Sequence, residues 1–252
     1  FRSKNFSWMT VVAAMGQMFY SLSIAMGILI TFGSYMKKET SLEDSTRNVE
    51  VFDTAIAIMA GLMIIPAVFS FSGGDPDTLQ AGPALMFITI PKVFENMGFG
   101  TVVGILFFLL VLFAAVTSSI ALTESAVSTF EDELGWSRRR ATVLVGVIMI
   151  ALGSLSSLGY GPLAGIKIIG MQFLDFFDFL TNSVMMPIAA MLTSLFVSRI
   201  VGMKRMEEEI MHGESTFRRK KIFIVMIKYL CPVFALIILI SSVANAFGWI
   251  AM

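Results

Sequence analysis

Three consecutive hydroxyls, Thr117, Ser118 and Ser119, stand behind Ala114 and Ala115 in the middle of a long apolar run. Hard cations prefer oxygen ligands, and neutral hydroxyls with main-chain carbonyls supply them without adding charge. Successive helical side chains point about 100° apart. Two hydroxyls and a carbonyl from the preceding turn therefore converge on one ion only if another helix completes the shell. The same small and hydroxylated residues also act as glue between membrane helices, and the motif alone leaves both readings open. A second polar stretch, "GQMFYSLSIAMG", places Ser21 and Ser23 between Gly16 and Gly27, again inside an apolar run. It fits a continuous helix whose serines bond back to the preceding turn. It fits equally a broken helix whose freed backbone lines a cavity, since lipid leaves unpaired backbone no partner.

Carboxylates within or beside apolar runs are the third feature: Asp53, Glu124, and the pair Asp175 and Asp178 in "FLDFFDFL". A charge at the bilayer centre costs about 2.5 to 3.5 kcal/mol on insertion scales, so such residues tend to serve function. Asp175 and Asp178 are three apart and share a helix face near an outer end. Asp53 is expected at the start of the second helix, where it is either a buried ligand or a plain N-cap beside Asn48 and Thr54. Other chemistries lack their residues. His212 is the only histidine, and no glycine-rich loop precedes a Lys-Ser/Thr pair. No histidine-based metal cluster, Ser-His hydrolase pair or phosphate loop can be built, so the chain is not expected to be an enzyme.

The elements that position these groups are apolar and long. The chain has 252 residues, 56% of them hydrophobic and 14% charged, with zero net charge, and a mean hydropathy of +0.83. Soluble domains are about 45–50% apolar; this composition indicates an integral membrane protein and argues against a nucleic-acid partner. Runs long enough to cross about 30 Å of hydrocarbon lie at Met9 to Tyr35, Phe52 to Ser72, Phe99 to Phe130, Ala141 to Leu158, Met171 to Val197 and Ile222 to Ile250. They predict six spanning helices. Cations gather after the first, third and fifth runs: Lys37, Lys38 and Arg47; Arg138 to Arg140; then Arg199, Lys204, Arg205 and Arg218 to Lys221. Arg2, Lys4, Lys92 and Lys167 are all that fall on the other side. The positive-inside rule makes the rich side cytoplasmic, with both ends of the chain extracellular or periplasmic. The outer segment "DTLQAGPALMFITIPKVFEN" carries Gly82, Pro83 and Pro91 and reads as a broken helical hairpin or an interfacial helix. The chain begins at Phe1 without a signal-peptide profile and is expected to be a fragment lacking the start of its gene.

Taken in order, "AAMGQMFYSLSIAMGILITFGSY", "GPALMFITIPKVF", "FAAVTSSIALTES", "STFEDELGWSRR" and "FLDFFDFLTNSVMMP" resemble the neurotransmitter:sodium symporter family, in its bacterial amino-acid-transporting branch. The likeness runs along nearly the whole chain. It implies an all-α integral membrane fold, the second half of a five-plus-five inverted repeat with one broken helix, plus one further helix. Residues 1–200 would form helices six to ten, with an outer capping loop at 73–98; residues 201–221 a cytoplasmic loop with a short helix; and residues 222–252 helix eleven. Helices one to five would be absent from this chain.

The resemblance also implies roles. The unwound part of helix six falls near Ser23, Ile24 and Ala25. Sodium would be held by Ser21, Asp53, the Ala114 carbonyl, Thr117 and Ser118. Substrate would meet Tyr20, Ser23, Met26, Ser118 and Leu122, with Gln17 and Asp178 at the outer gate. An Asp where animal members have Asn implies that chloride is not required. The chain departs from its relatives in Ala25, where many have Gly, and in Tyr20, where Phe is commoner; Met26 leaves room for a bulky apolar ligand. The expected function is sodium-coupled symport of apolar or aromatic amino acids across the plasma (inner) membrane. The expected partners are the amino acid, the lipid bilayer, the missing helices one to five and a possible homodimer. A non-transporting sensor or assembly subunit that keeps the fold, and a channel, are the alternatives.

Overall fold

A computed structural model describes residues 8–71, 82–213 and 216–249. The described residues are almost wholly helical: α1 (Trp8–Ser21), α2 (Ile28–Ser34), α3 (Leu42–Phe71), α4 (Ile90–Glu95), α5 (Gly100–Leu134), α6 (Arg138–Leu158), α7 (Phe173–Asp178), α8 (Met186–Leu195), α9 (Met203–Ile210), α10 (Lys220–Val225) and α11 (Cys231–Ala246). An isolated bridge, Ile168 with Met171, is the sheet-type pairing seen among them. Among the described residues, five unbroken stretches are long and apolar enough to cross a membrane: Leu42–Ser70, Gly100–Leu134, Arg138–Leu158, Phe173–Val201 and Lys220–Ala246. The run from Met9 to Tyr35 is instead divided between α1 and α2, each too short to cross alone.

Wide π-type turns recur among the described residues; Phe196–Val201 ends at Gly202, and three others have a reason written in the sequence. Leu85–Thr89, Phe179–Met185 and Met226–Leu230 are π segments, and each leads into a helix with proline in its first turn, at Pro91, Pro187 and Pro232. Proline has no N–H, and its ring crowds the carbonyl four residues back. A local π turn moves that carbonyl aside without ending the helix.

Helix α3 begins well before the polar-to-apolar transition. Ser41 accepts the Asp44 N–H on its hydroxyl at 3.0 Å, and Glu43 and Asp44 sit in the first turn, where acids favour the positive helix end. The segment 42–50, ahead of the apolar run expected to begin at Phe52, is therefore helix. Asp53 consequently lies in the helix interior, which removes the N-cap reading.

The chain divides into two compact units, residues 1–46 with 122–252, and residues 47–121. In the first, Phe19, Ala190, Ala235 and Ile238 form a buried cluster flanked by Met15, Ile24, Ala25 and Met191. The alanines let α8 and α11 approach closely, and the Ser194 hydroxyl donates across to the Ile227 carbonyl. Val127, Ala141 and Val145 make a second cluster between α5 and α6. In the second unit, Ile90 and Val93 of α4 are buried. The Phe94 ring meets Phe107 edge-on at 5.4 Å, and Phe87 stacks on Phe108 at 6.0 Å. The part of the expected capping loop at 73–81 lies outside the described residues.

Candidate functional site

The break between α1 and α2 is built from backbone that L-residues seldom adopt. Ser23 and Ala25 have φ of 54° and 63°, followed by Gly27 at 80°. The α-helical ladder closes with Leu22 N–H to the Met18 carbonyl, while Ile24 N–H reaches back to Phe19, each at 3.0 Å. It restarts with Thr31 N–H to the Gly27 carbonyl, also at 3.0 Å. Left-handed conformation at a non-glycine residue costs about 1 to 3 kcal/mol and persists only where its surroundings impose it. Here Ile24 and Ala25 are held by packing on the Phe19–Ala190–Ala235–Ile238 cluster. Gly27 closes against α5, where an added Cβ would stand 2.7 Å from the Ser125 hydroxyl. Only glycine satisfies both the dihedral and the approach at that position.

Placement of the expected residues in this unit follows from that geometry. Phe19 points into the core while Gln17, Tyr20 and Ser21, spaced i, i+3 and i+4, are exposed on the other side of α1. Ser23 and Met26 lie half-buried in the break. Leu122 is exposed on α5. Asp178 is exposed at the end of α7 and accepts a hydrogen bond from the Asn182 amide at 2.5 Å, so its carboxylate is oriented one turn along its own helix.

In the second unit, Asp53 is half-buried in the interior of α3. Ala114, Thr117 and Ser118 share one exposed face of α5, with spacings of three and four residues. The Thr117 hydroxyl donates to the Phe113 and Ala114 carbonyls, both at 3.0 Å. That arrangement commits its proton to the helix and leaves oxygen lone pairs to accept from elsewhere, as a cation ligand must. Ser119 donates to the Val116 carbonyl at 2.9 Å and is turned further inward.

One polar cluster was not foreseen from the sequence. The Tyr35 hydroxyl, at the end of α2, donates to Glu124 Oε1 at 2.7 Å, and the Arg138 guanidinium pairs with the other Glu124 oxygen. Arg138 also reaches Glu131 at 3.3 Å. Thr31, buried on α2, lies 3.3 Å from the Ser128 hydroxyl. Beside these contacts is a cavity of about 360 Å3 lined by Thr31, Ser34, Tyr35, Glu131 and Asp132 among others. The cluster fastens α2 to the C-terminal half of α5. Its sequence signal was a lone glutamate, Glu124, one turn beyond the hydroxyl motif, and its partners stand 14 and 89 residues away.

Residues 4–248 match the sodium:neurotransmitter symporter family. The chain belongs to that family. It is 32% identical over 206 residues to an uncharacterized sodium-dependent transporter of Bacillus subtilis, covering 82% of this chain and 45% of the relative. It is also 32% identical over 232 residues to an uncharacterized sodium-dependent transporter of Haemophilus influenzae, covering 92% of this chain and 50% of the relative. Among solved structures, the fold resembles MhsT in complex with L-phenylalanine, with a TM-score of 0.81 and 36% identity over 92% of this chain and 51% of that one. The chain therefore spans about half the length of the relatives it matches. Family and fold together make it part of a multi-pass membrane protein, without enzymatic character.

Proposed function

We propose that this chain is the helix-six-to-eleven portion of a sodium-coupled symporter of apolar or aromatic amino acids. The observation that carries the reading is the break at Leu22 to Gly27, where two non-glycine residues are held at positive φ in a family of sodium symporters. Phenylalanine in the MhsT complex supports an aromatic or large apolar substrate, and the flexible Met26 beside the break supports a pocket that adapts to one. In the first unit, Ser21 contributes a hydroxyl to sodium, and Tyr20, Ser23, Met26 and Leu122 contact substrate. In the second, Asp53, the Ala114 carbonyl, Thr117 and Ser118 supply sodium oxygens, with Ser118 also facing substrate. Gln17 and Asp178 belong to the outer gate. The Asp53 carboxylate provides the fixed negative charge that makes chloride dispensable.

Residues 1–200 form the second inverted repeat, 201–221 the cytoplasmic connection and 222–252 the last helix, the cation-rich side facing the cytoplasm of a plasma (inner) membrane. Helices one to five of the same transporter supply the facing wall. Sodium favours the substrate-ready outward state by binding it better than the inward one, which is the only way an ion can bias the equilibrium. Release of the Tyr35–Glu124–Arg138 cluster then frees α2 on the inner side. Uptake of labelled amino acids by the complete transporter in liposomes tests this. Concentrative uptake driven by a sodium gradient and lost when potassium replaces sodium is expected. Uptake indifferent to that exchange refutes coupling, and absence of any uptake favours a sensor or assembly subunit.

A further inference from the structure

We infer that the face of the last spanning helix carrying Lys221 and Lys228 seats the headgroup of an anionic inner-leaflet lipid. Lys221 and Lys228 are both exposed and seven residues apart, near two helical turns, so they lie on one side of the stretch Lys220–Ala246. Lys228 stands eight residues past the helix start, roughly 12 Å down the axis at 1.5 Å per residue, inside the π segment Met226–Leu230. Beside it, Val225 and Tyr229 are exposed, an apolar surround along which a lysine stem can lie.

A cation at that depth needs a counter-charge; Glu43 accepts the Arg218 N–H at 3.1 Å at the helix start, but no carboxylate is paired with Lys228 among the described residues. No Asp or Glu occurs from Ser215 to the chain end, nor between Asp178 and Glu207, which takes in the π turn before α8, α8 itself and the π turn after it, all packed against this helix. Among the described residues, Lys228 has no ion-pair partner, whereas the neighbouring Lys220 is taken by Glu207. The lysine stem is long enough to snorkel upward along apolar surface. Its ammonium then meets Lys221 and the exposed Arg218 at the headgroup level. Juxtamembrane Lys and Arg beside a spanning helix attract anionic lipid, each cation contributing a near-fivefold factor, and Lys221, Lys228 and Arg218 are three such cations. A lipid phosphate is the occupant whose charge complements this face.

The inference uses the orientation proposed above but not the sodium sites, and lipid retention is measured without transport, so its failure would leave the transport reading in place. The experiment is native mass spectrometry of the complete transporter extracted from vesicles of phosphatidylcholine with one-fifth phosphatidylglycerol. Selective phosphatidylglycerol adducts are expected, weakened by high salt, reduced on the order of 25-fold in K221Q/K228Q and kept in K228R. Lys92→Gln, on an unrelated segment, should leave them unchanged. Equal retention of the two lipids overturns the proposal. So does unaltered phosphatidylglycerol retention in K221Q/K228Q, including the case in which that variant changes oligomeric state because a second copy covers the face.

Discussion

Replacing Gly27 by alanine tests whether the helix break is set by contact with α5. Two costs add. Gly27 has φ 80° and ψ −22°, and an L-residue held at positive φ costs about 1 to 3 kcal/mol. The new Cβ would also stand 2.7 Å from the Ser125 hydroxyl, and overpacking of this kind costs about 1 to 3 kcal/mol more. Lower entropy of the unfolded chain returns about 0.4 to 1 kcal/mol. The expected net loss is about 1 to 5.6 kcal/mol, large for a single methyl. Ser125→Ala removes the clashing oxygen but not the dihedral strain. The double variant should therefore recover about 1 kcal/mol or more relative to additivity. Denaturation of the complete transporter in detergent, measured for parent, both single variants and the double variant, gives the coupling. A Gly27→Ala variant within about 0.5 kcal/mol of the parent, or a loss untouched by removing the Ser125 hydroxyl, would refute the reasoning.

Other consequences are as direct. Ala25→Gly relieves left-handed strain and should be neutral or stabilising by up to about 1 kcal/mol, whereas Ala13→Gly in the regular part of α1 should cost about 1 kcal/mol; equal losses in the two would contradict a strained break. Thr117→Ala and Asp53→Asn should each lower the apparent sodium affinity of uptake at least tenfold, while Ser119→Ala, whose hydroxyl is turned inward, should change it less than twofold; a reversed order would reassign the ion ligands. Asp53→Asn should also make uptake respond to chloride, which a chloride titration reads. Glu124→Gln weakens the tie from α2 to Arg138, and a Ser34→Cys reporter in that background should react faster with a cytoplasmic thiol reagent; unchanged labelling would mean the cluster does not restrain α2.

Much of this architecture is legible locally because membranes impose simple rules. Length and apolarity announce the spanning runs, and the prolines at 91, 187 and 232 stand where π turns precede new helices. The ordered motifs also placed the break at Ser23 to Ala25, where the backbone leaves the right-handed region. Pattern alone could not decide between a packed and a broken helix, since Ser21 and Ser23 serve either. Packing around Ile24 and Ala25 and the Gly27–Ser125 approach decide it, and Ser125 lies 98 residues along the chain from Gly27.

The start of α3 was misplaced because hydropathy marks where a helix enters lipid, not where its hydrogen bonds begin. The Ser41 cap fixes that beginning, and so turns Asp53 from a terminal residue into an interior one. The union of Tyr35, Glu124 and Arg138 is likewise tertiary: each residue alone reads as an ordinary polar group near a helix end. The sequence by itself determined which segments belong in the bilayer and which oxygens lie along them, because those depend on composition and spacing. Only the tertiary structure decided which of those groups turn inward, which stay exposed and which bond to one another, because that depends on helix faces brought together from distant parts of the chain.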